Sequence, residues 1–188
     1  AFSRATEHDN AWMARILSRF DRDDIEALVT LGKFSRPEHA AFLTEVLEQR
    51  LRRIVDRYLF RLSPIADVQT EGPGRLCATD LARRRAARPE RAFRYSASAH
   101  RPGGSVPLRV ETSAAGKICF ALPHARVSQE VANDDASRYV VVSIANGAST
   151  YPLLVHLYDL GAERGFRVVG LERPETSKVD GSDWGLEE

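Results

Sequence analysis

The sequence predicts an α+β fold in which an N-terminal helical segment of three helices precedes an antiparallel β-sandwich. Two observations carry this. Up to about Pro64 the apolar residues recur at three- and four-residue spacing, the period of a helix. Beyond Pro64 the chain breaks into short runs rich in β-branched and aromatic residues, separated by Gly, Pro, Asn and Asp. A chain of 188 residues with 43% hydrophobic content can bury one sizeable core or two small ones, so both parts can be ordered.

Taken in order, Trp12, Met13, Ile16, Leu17 and Phe20 share one face of a helix expected over residues 6–20. Asp21 is placed to cap a second helix carrying Ile25, Leu28, Val29 and Leu31, with Gly32 as its stop. In SRPE, Ser35 and Glu38 have capping-box spacing and Pro37 falls in the first turn, so a long third helix should run from 36 to 62. On its wheel Leu47, Leu51, Ile54, Val55, Tyr58, Leu59 and Leu62 occupy one arc. Arg50, Arg53, Arg57 and Arg61 form a separate stripe beside it. Glu48 lies one turn before Arg52, and Asp56 one turn from Arg52 and Arg53, so part of this charge is neutralised locally. Arginine stems also cover apolar surface while their heads stay wet, so the stripe reads first as a solvated or domain-docking face and second as a polyanion site.

A strand is expected near residues 67–77, and TDLARRRAA suggests a short helix. Six strands follow: FRYSASAH (93–100), VPLRVET (106–112), KICFALP (117–123), RYVVVSIAN (138–146), PLLVHLYDL (152–160) and FRVVGLER (166–173). No helix-length crossover separates them, which favours an antiparallel sandwich of immunoglobulin or fibronectin III type over a parallel sheet. The predicted organisation is therefore 1–64 helical, 65–174 sandwich, and an acidic, disordered tail over 175–188. Trp184 in that tail is either an incidental aromatic or a docking anchor.

Charge and motifs exclude more than they assign. The formal net charge is +1, so no global field draws the molecule to nucleic acid or to an acidic membrane. No apolar run is long enough to span a bilayer, and the N-terminus lacks a signal-peptide pattern. The chain starts at Ala1 without Met, which fits either removal of an initiator or a domain cut from a longer precursor. Nucleophile-elbow, P-loop, dinucleotide-binding and zincin motifs are all missing, and no RNA- or DNA-reading signature occurs. Catalytic residues, cofactor and metal are accordingly predicted as none.

Five histidines, at 8, 39, 100, 124 and 156, stand singly. His156 alternates with apolar neighbours and reads as a hydrogen-bonded structural residue; His100 and His124 flank loops that could bring them together. Asp134 and Asp135 offer a weak calcium site or, more simply, Asx-turn chemistry. Cys77 and Cys119 lack the CxxC spacing of a redox or metal pair, which leaves a single disulfide or two buried thiols. A second basic segment carries Arg83, Arg84, Arg85, Arg88, Arg91, Arg94 and Arg101 against Glu90, with Phe93 and Tyr95 nearby. Arginines beside aromatics could grip a polyanion. Because Phe93 and Tyr95 alternate with Ala97 they are expected on the core side, and the arginines in solvent or against another part of the protein.

The runs WMARIL-x-x-F (12–20), I-x-x-LV-x-x-G-x-FS-x-P (25–37), L-x-x-VL-x-x-R-x-x-x-I (43–54) and GFRVVGLER (165–173) resemble the C-terminal region of large uncharacterised bacterial envelope proteins, whose preceding part is similar to an atypical kinase-like domain. The shared positions are core residues, caps and turns, so no catalytic residue comes with the resemblance. It implies an accessory segment in the bacterial periplasm or cell envelope, with the cytoplasm as the alternative, and favours the disulfide. The resulting expectation is a non-catalytic protein-interaction module whose arginine helix docks on a neighbouring domain or protein partner. The alternatives are a polyanion or glycan binder using Arg83 to Arg101, and a hydrolase with its site between the two halves.

Overall fold

The computed structural model describes residues 6–59, 62–84, 93–124, 135–147 and 151–174. The chain divides into two compact units, Ala1–Leu62 and Ser63–Glu188. Helices fill the first and two antiparallel sheets dominate the second, an α+β architecture.

Three helices build the first unit: α1 (Glu7–Leu17), α2 (Arg22–Thr30) and α3 (Pro37–Tyr58). Thr6 caps α1 and Asp21 caps α2. Each side chain accepts from the third helical amide, and the Asp9 or Asp24 carboxylate accepts the cap's own N–H in return. The capping box expected from Ser35 and Glu38 is not formed. Arg36 is the cap, with extended backbone (φ −124°, ψ 125°) and no side-chain hydrogen bond. Pro37 explains this, because its ring bars the preceding residue from helical conformation and so fixes the start at Pro37, leaving Ser35 outside the cap position. After α2 it is Lys33, at φ 48°, that adopts the left-handed conformation, not Gly32.

Helix α3 packs on both α1 and α2. Ile25, Val29, Leu51 and Val55 are buried, and α1 contributes Ala11 and Ala14. This corrects the expectation for α1. Its large apolar residues do not form the buried face, because two alanines let the helix backbone come close and leave Trp12, Met13 and Ile16 exposed, as is Phe20 just beyond the helix end. Arg22 of α2 bridges to α3 through Glu48 (2.5 Å) and Glu45 (3.4 Å), while Arg52 pairs with the other Glu48 oxygen.

The second unit holds nine strands among the described residues. The first sheet has β1 (Ile65–Thr70), β2 (Arg75–Asp80), β5 (Val110–Thr112) and β6 (Lys117–Ala121) in the order β1-β2-β6-β5. The second has β3 (Ser96–Arg101), β4 (Gly104–Leu108), β7 (Tyr139–Ala145), β8 (Leu153–Asp159) and β9 (Phe166–Glu172) in the order β4-β3-β7-β8-β9. Two expected runs resolve differently. The single strand near 67–77 is a hairpin, β1 and β2, and VPLRVET changes sheet at Arg109, dividing into β4 and β5. Short helices α4 (Leu81–Arg84) and α5 (Asp135–Arg138) complete the unit.

Strand alternation places one hydrophobic cluster between the sheets. Ile65, Leu76, Ile118 and Phe120 come from the first; Val140, Val142, Ile144, Leu153, Val155 and Leu157 come from the second. Phe93 is buried and Tyr95 packs against the cluster, as their alternation with Ala97 predicts. An extra residue on β1 interrupts its register with β2 between Ala66 and Gln69, where Asp67 takes φ 51°. A second bulge sets Val169 of β9 outside the pairing with β8.

Candidate functional site

In the helical unit the surface departs most from what a self-sufficient bundle needs. Trp12 is 56% exposed, Leu31 75% and Phe42 71%, and Met13, Ile16, Phe20, Leu28 and Phe34 are exposed with them. The larger β unit exposes only Val106, Val169 and Leu171 among its described large apolar residues. On α1 the sequence spacing of Trp12, Met13 and Ile16 gathers them on one side of the helix axis.

On α3, Arg50, Arg53 and Arg57 are exposed, with the Arg57 guanidinium 5.4 Å from the centre of the Tyr58 ring. Arg61 lies outside the described residues, as do Arg85, Arg88, Arg91, Trp184, Asp134, the tail and the side chains of Arg84 and Asp135.

Within the second basic segment two arginines are turned to internal partners. Asp80, fully buried, accepts from the backbone amides of Ala82 (2.9 Å) and Arg83 (3.2 Å), which starts α4. The Arg83 side chain returns to Asp80 at 3.5 Å and donates to the Phe93 carbonyl at 3.3 Å. Burial next to the Asp80 carboxylate pushes the Tyr95 phenol far above its ordinary range. Arg101 donates to Asp159 (3.0 Å) and to the Pro123 carbonyl (2.8 Å).

Asp159 organises one end of the sandwich. It is 5% exposed, and besides Arg101 it accepts from Nδ1 of His124 (3.1 Å) and from the Gly161 amide (3.0 Å). The His124 ring stacks on Phe166 with centroids 4.7 Å apart, and Arg101 lies 5.8 Å from the same ring. His124 is thus oriented by a carboxylate, and burial holds His100 below its usual pKa.

On the outer face of the second sheet, His156 Nδ1 lies 2.5 Å from the Tyr139 hydroxyl and Nε2 lies 3.4 Å from Glu172. With the imidazole neutral, the phenol donates to Nδ1 and Nε2–H faces the carboxylate, so one tautomer satisfies both neighbours. Burial, Tyr158 and Glu172 raise the Tyr139 pKa, which disfavours a phenolate nucleophile at this position.

A further polar cluster occupies the outer face of the first sheet. Cys77 of β2 and Cys119 of β6 are directly opposed partners, with Cα atoms 4.1 Å apart and sulfurs at disulfide distance, 2.20 Å. Their neighbours Leu76, Ala78, Ile118 and Phe120 point into the core, so both cysteines project to the opposite face, yet they are only 1% and 3% exposed. Beside them is a depression of 320 Å³ lined by Asp67, Gln69, Glu71, Cys77, Ala78, Thr79, Ala115 and Lys117. Lys117 donates to Glu71 at 2.7 Å and holds that carboxyl below its ordinary pKa. A Glu71 oxygen and the two sulfurs lie within 4.8 Å of one another.

Sequence reading singled out the cysteines but missed Glu71 and Lys117, which β1 and β6 bring to them. It also missed Asp159, whose partners come from distant loops and strand ends. Strand parity carried a signal for the first: in RLCATDL and KICFALP the cysteine alternates against the apolar residues in the same way. Compared with protein-family models, curated proteins and solved structures, the chain has no match.

Proposed function

We propose that the chain is a non-catalytic accessory module that works by protein–protein contact, with the helical unit as its docking element. The observation behind this is the set of eight large apolar side chains, from Trp12 to Phe42, left exposed by the three helices. A group of that size on so small a unit costs solubility unless another protein surface covers it. Exposed Arg50, Arg53 and Arg57 on α3 give the partner its second feature. The occupant is a different folded protein, or another domain of a longer chain, presenting an apolar groove edged by carboxylates. As the resemblance in the sequence suggests, that longer protein belongs to the bacterial envelope, and the Cys77–Cys119 pair supports an oxidising compartment. No helix among the described residues is long and apolar enough to cross a membrane.

The β unit is the spacer or binding half, and we infer that it is of immunoglobulin type. Lettered in chain order, the first sheet reads A-B-E-D and the second C′-C-F-G, with β9 added beyond G. Its disulfide differs from the usual one in that type, since it links B to E within one sheet rather than B to F across the core.

The alternatives draw less support. A polyanion or glycan site would use Arg83 to Arg101; Arg83 and Arg101 are engaged with internal carboxylates and carbonyls, Arg94 is exposed, and Arg85, Arg88, Arg91 and the Arg84 side chain lie outside the described residues. A hydrolase would use a histidine with its carboxylate; His124 and His156 both have one, but the hydroxyl that His156 meets is the high-pKa Tyr139.

A photo-reactive amino acid at position 12, in cells of the source organism, tests the reading. The expected product is an adduct with one segment of a different chain or domain. Binding of that partner, once purified, should weaken with Met13→Glu and with rising salt. Adducts only between copies of this chain, or none above those from a control at exposed Ser105, would remove the docking proposal.

A further inference from the structure

We propose that reduction of the Cys77–Cys119 bond opens a binding site for a zinc-class cation, held by the two thiolates and the Glu71 carboxylate. This goes beyond the docking reading and does not depend on it.

Three observations carry the site. The cysteines face each other across β2 and β6, so both sulfurs leave the sheet in the same direction. A Glu71 oxygen already lies within 4.8 Å of both, beside a depression of 320 Å³ large enough for a cation and its water. The third is the charge pattern: two thiolates and Glu71 supply three negative charges, a divalent cation two positive ones, and Lys117, 2.7 Å from Glu71, supplies the third.

Two sulfurs and one oxygen with a fourth position open suit zinc, whose ligands are thiolate, imidazole and carboxylate in tetrahedral arrangement. The chemistry balances with a dithiol as reductant. Two electrons and two protons pass to the Cys77–Cys119 sulfurs, the S–S bond breaks, and the dithiol closes to its own disulfide. Cation binding then expels the two thiol protons. Sulfurs bound to one zinc sit about 3.8 Å apart for bonds of about 2.3 Å, a separation reached by side-chain rotation. Lys117 favours the thiolates by its charge and keeps one Glu71 oxygen while the other turns to the metal. Oxidised, the same residues offer only a carboxylate already paired with lysine, so the bond acts as the gate.

The chain reduced with a phosphine under argon, freed of reductant and titrated with cobalt(II), provides the test. The expected result is a thiolate-to-cobalt charge-transfer band that saturates at one cobalt per chain and disappears when zinc is added. Glu71→Gln, which leaves both cysteines in place, should weaken cobalt at least about tenfold. The oxidised chain and a Cys77→Ser/Cys119→Ser chain should give no band. Absence of the band in the reduced protein overturns the proposal, as do wild-type affinity in Glu71→Gln, one cobalt shared by two chains, or loss of the β-sheet circular dichroism signal on reduction.

Discussion

Asp159 shows how one residue ties remote segments together. Its carboxylate accepts from Arg101 at the end of β3, from His124 after β6, and from the Gly161 amide just beyond β8. With Asp159 only 5% exposed, removing this acceptor leaves the Arg101 guanidinium without its carboxylate, held by the Pro123 carbonyl and the Phe166 ring. Asp159→Ala should therefore lower unfolding stability by about 3–5 kcal/mol, the range for breaking a buried charge pair, with urea denaturation as the measure. None of this could be read from the sequence, where PLLVHLYDL reports a strand and its parity but not which loops converge on its last residue. The cysteines were more legible because they sit on strands, where parity fixes the face. Glu71, at a strand end, and Lys117, at a strand start, needed the register as well.

At the scale of elements, α1 separates pattern from packing. Its apolar spacing predicts a helix correctly, but it does not say which side is buried, and in the structure that side is Ala11 and Ala14. Two substitutions separate the cases. Trp12→Ala should change stability by no more than about 0.5 kcal/mol, as for an exposed residue. Ala14→Leu should cost about 1–3 kcal/mol by overpacking the contact with α3. Thermal denaturation of the two variants decides between the readings; the reverse order would mean the tryptophan face is buried. The α2–α3 contact has a pH signature. Hydrogen bonding and charge from Arg52, followed by Arg22, hold Glu48 below its ordinary 4.5. The folded state thus binds the Glu48 proton less readily than the unfolded chain does. The stabilisation is complete above about pH 4.5 and is lost as pH falls through the lowered pKa. In urea midpoints measured from about pH 7 down to about pH 3, Glu48→Gln should flatten this acid limb and lie below wild type at neutral pH. Capping also divides by legibility. Asp21 was readable because its own side chain makes the bond, whereas the Ser35 reading failed because Pro37 sets the helix start.

For the whole molecule, the two units are stabilised by different means. The helical unit buries a thin core, while the β unit has a full core and a covalent link across β2 and β6. Closing a loop with a sequence separation of 42 is worth about 4 kcal/mol on the chain-entropy estimate. Cys77→Ala/Cys119→Ala should therefore melt about 10–20 °C lower, still in a cooperative transition, by scanning calorimetry. The change of period at Pro64 made the division into helices and strands legible in advance. The sheet switch at Arg109 was not, because VPLRVET alternates without a break and only the pairing partners show that the chain has crossed over.

The bulges bear on how such chains avoid polymerising. At the sheet margins, β1 is broken by the positive-φ Asp67, β5 has three residues, β4 carries Pro107, and β9 carries the displaced Val169. Each of these interrupts the even row of amides and carbonyls that an incoming strand must match, so fibre growth by edge addition has no straight template. Concentrated solutions of the intact β unit should therefore stay free of thioflavin-positive fibrils.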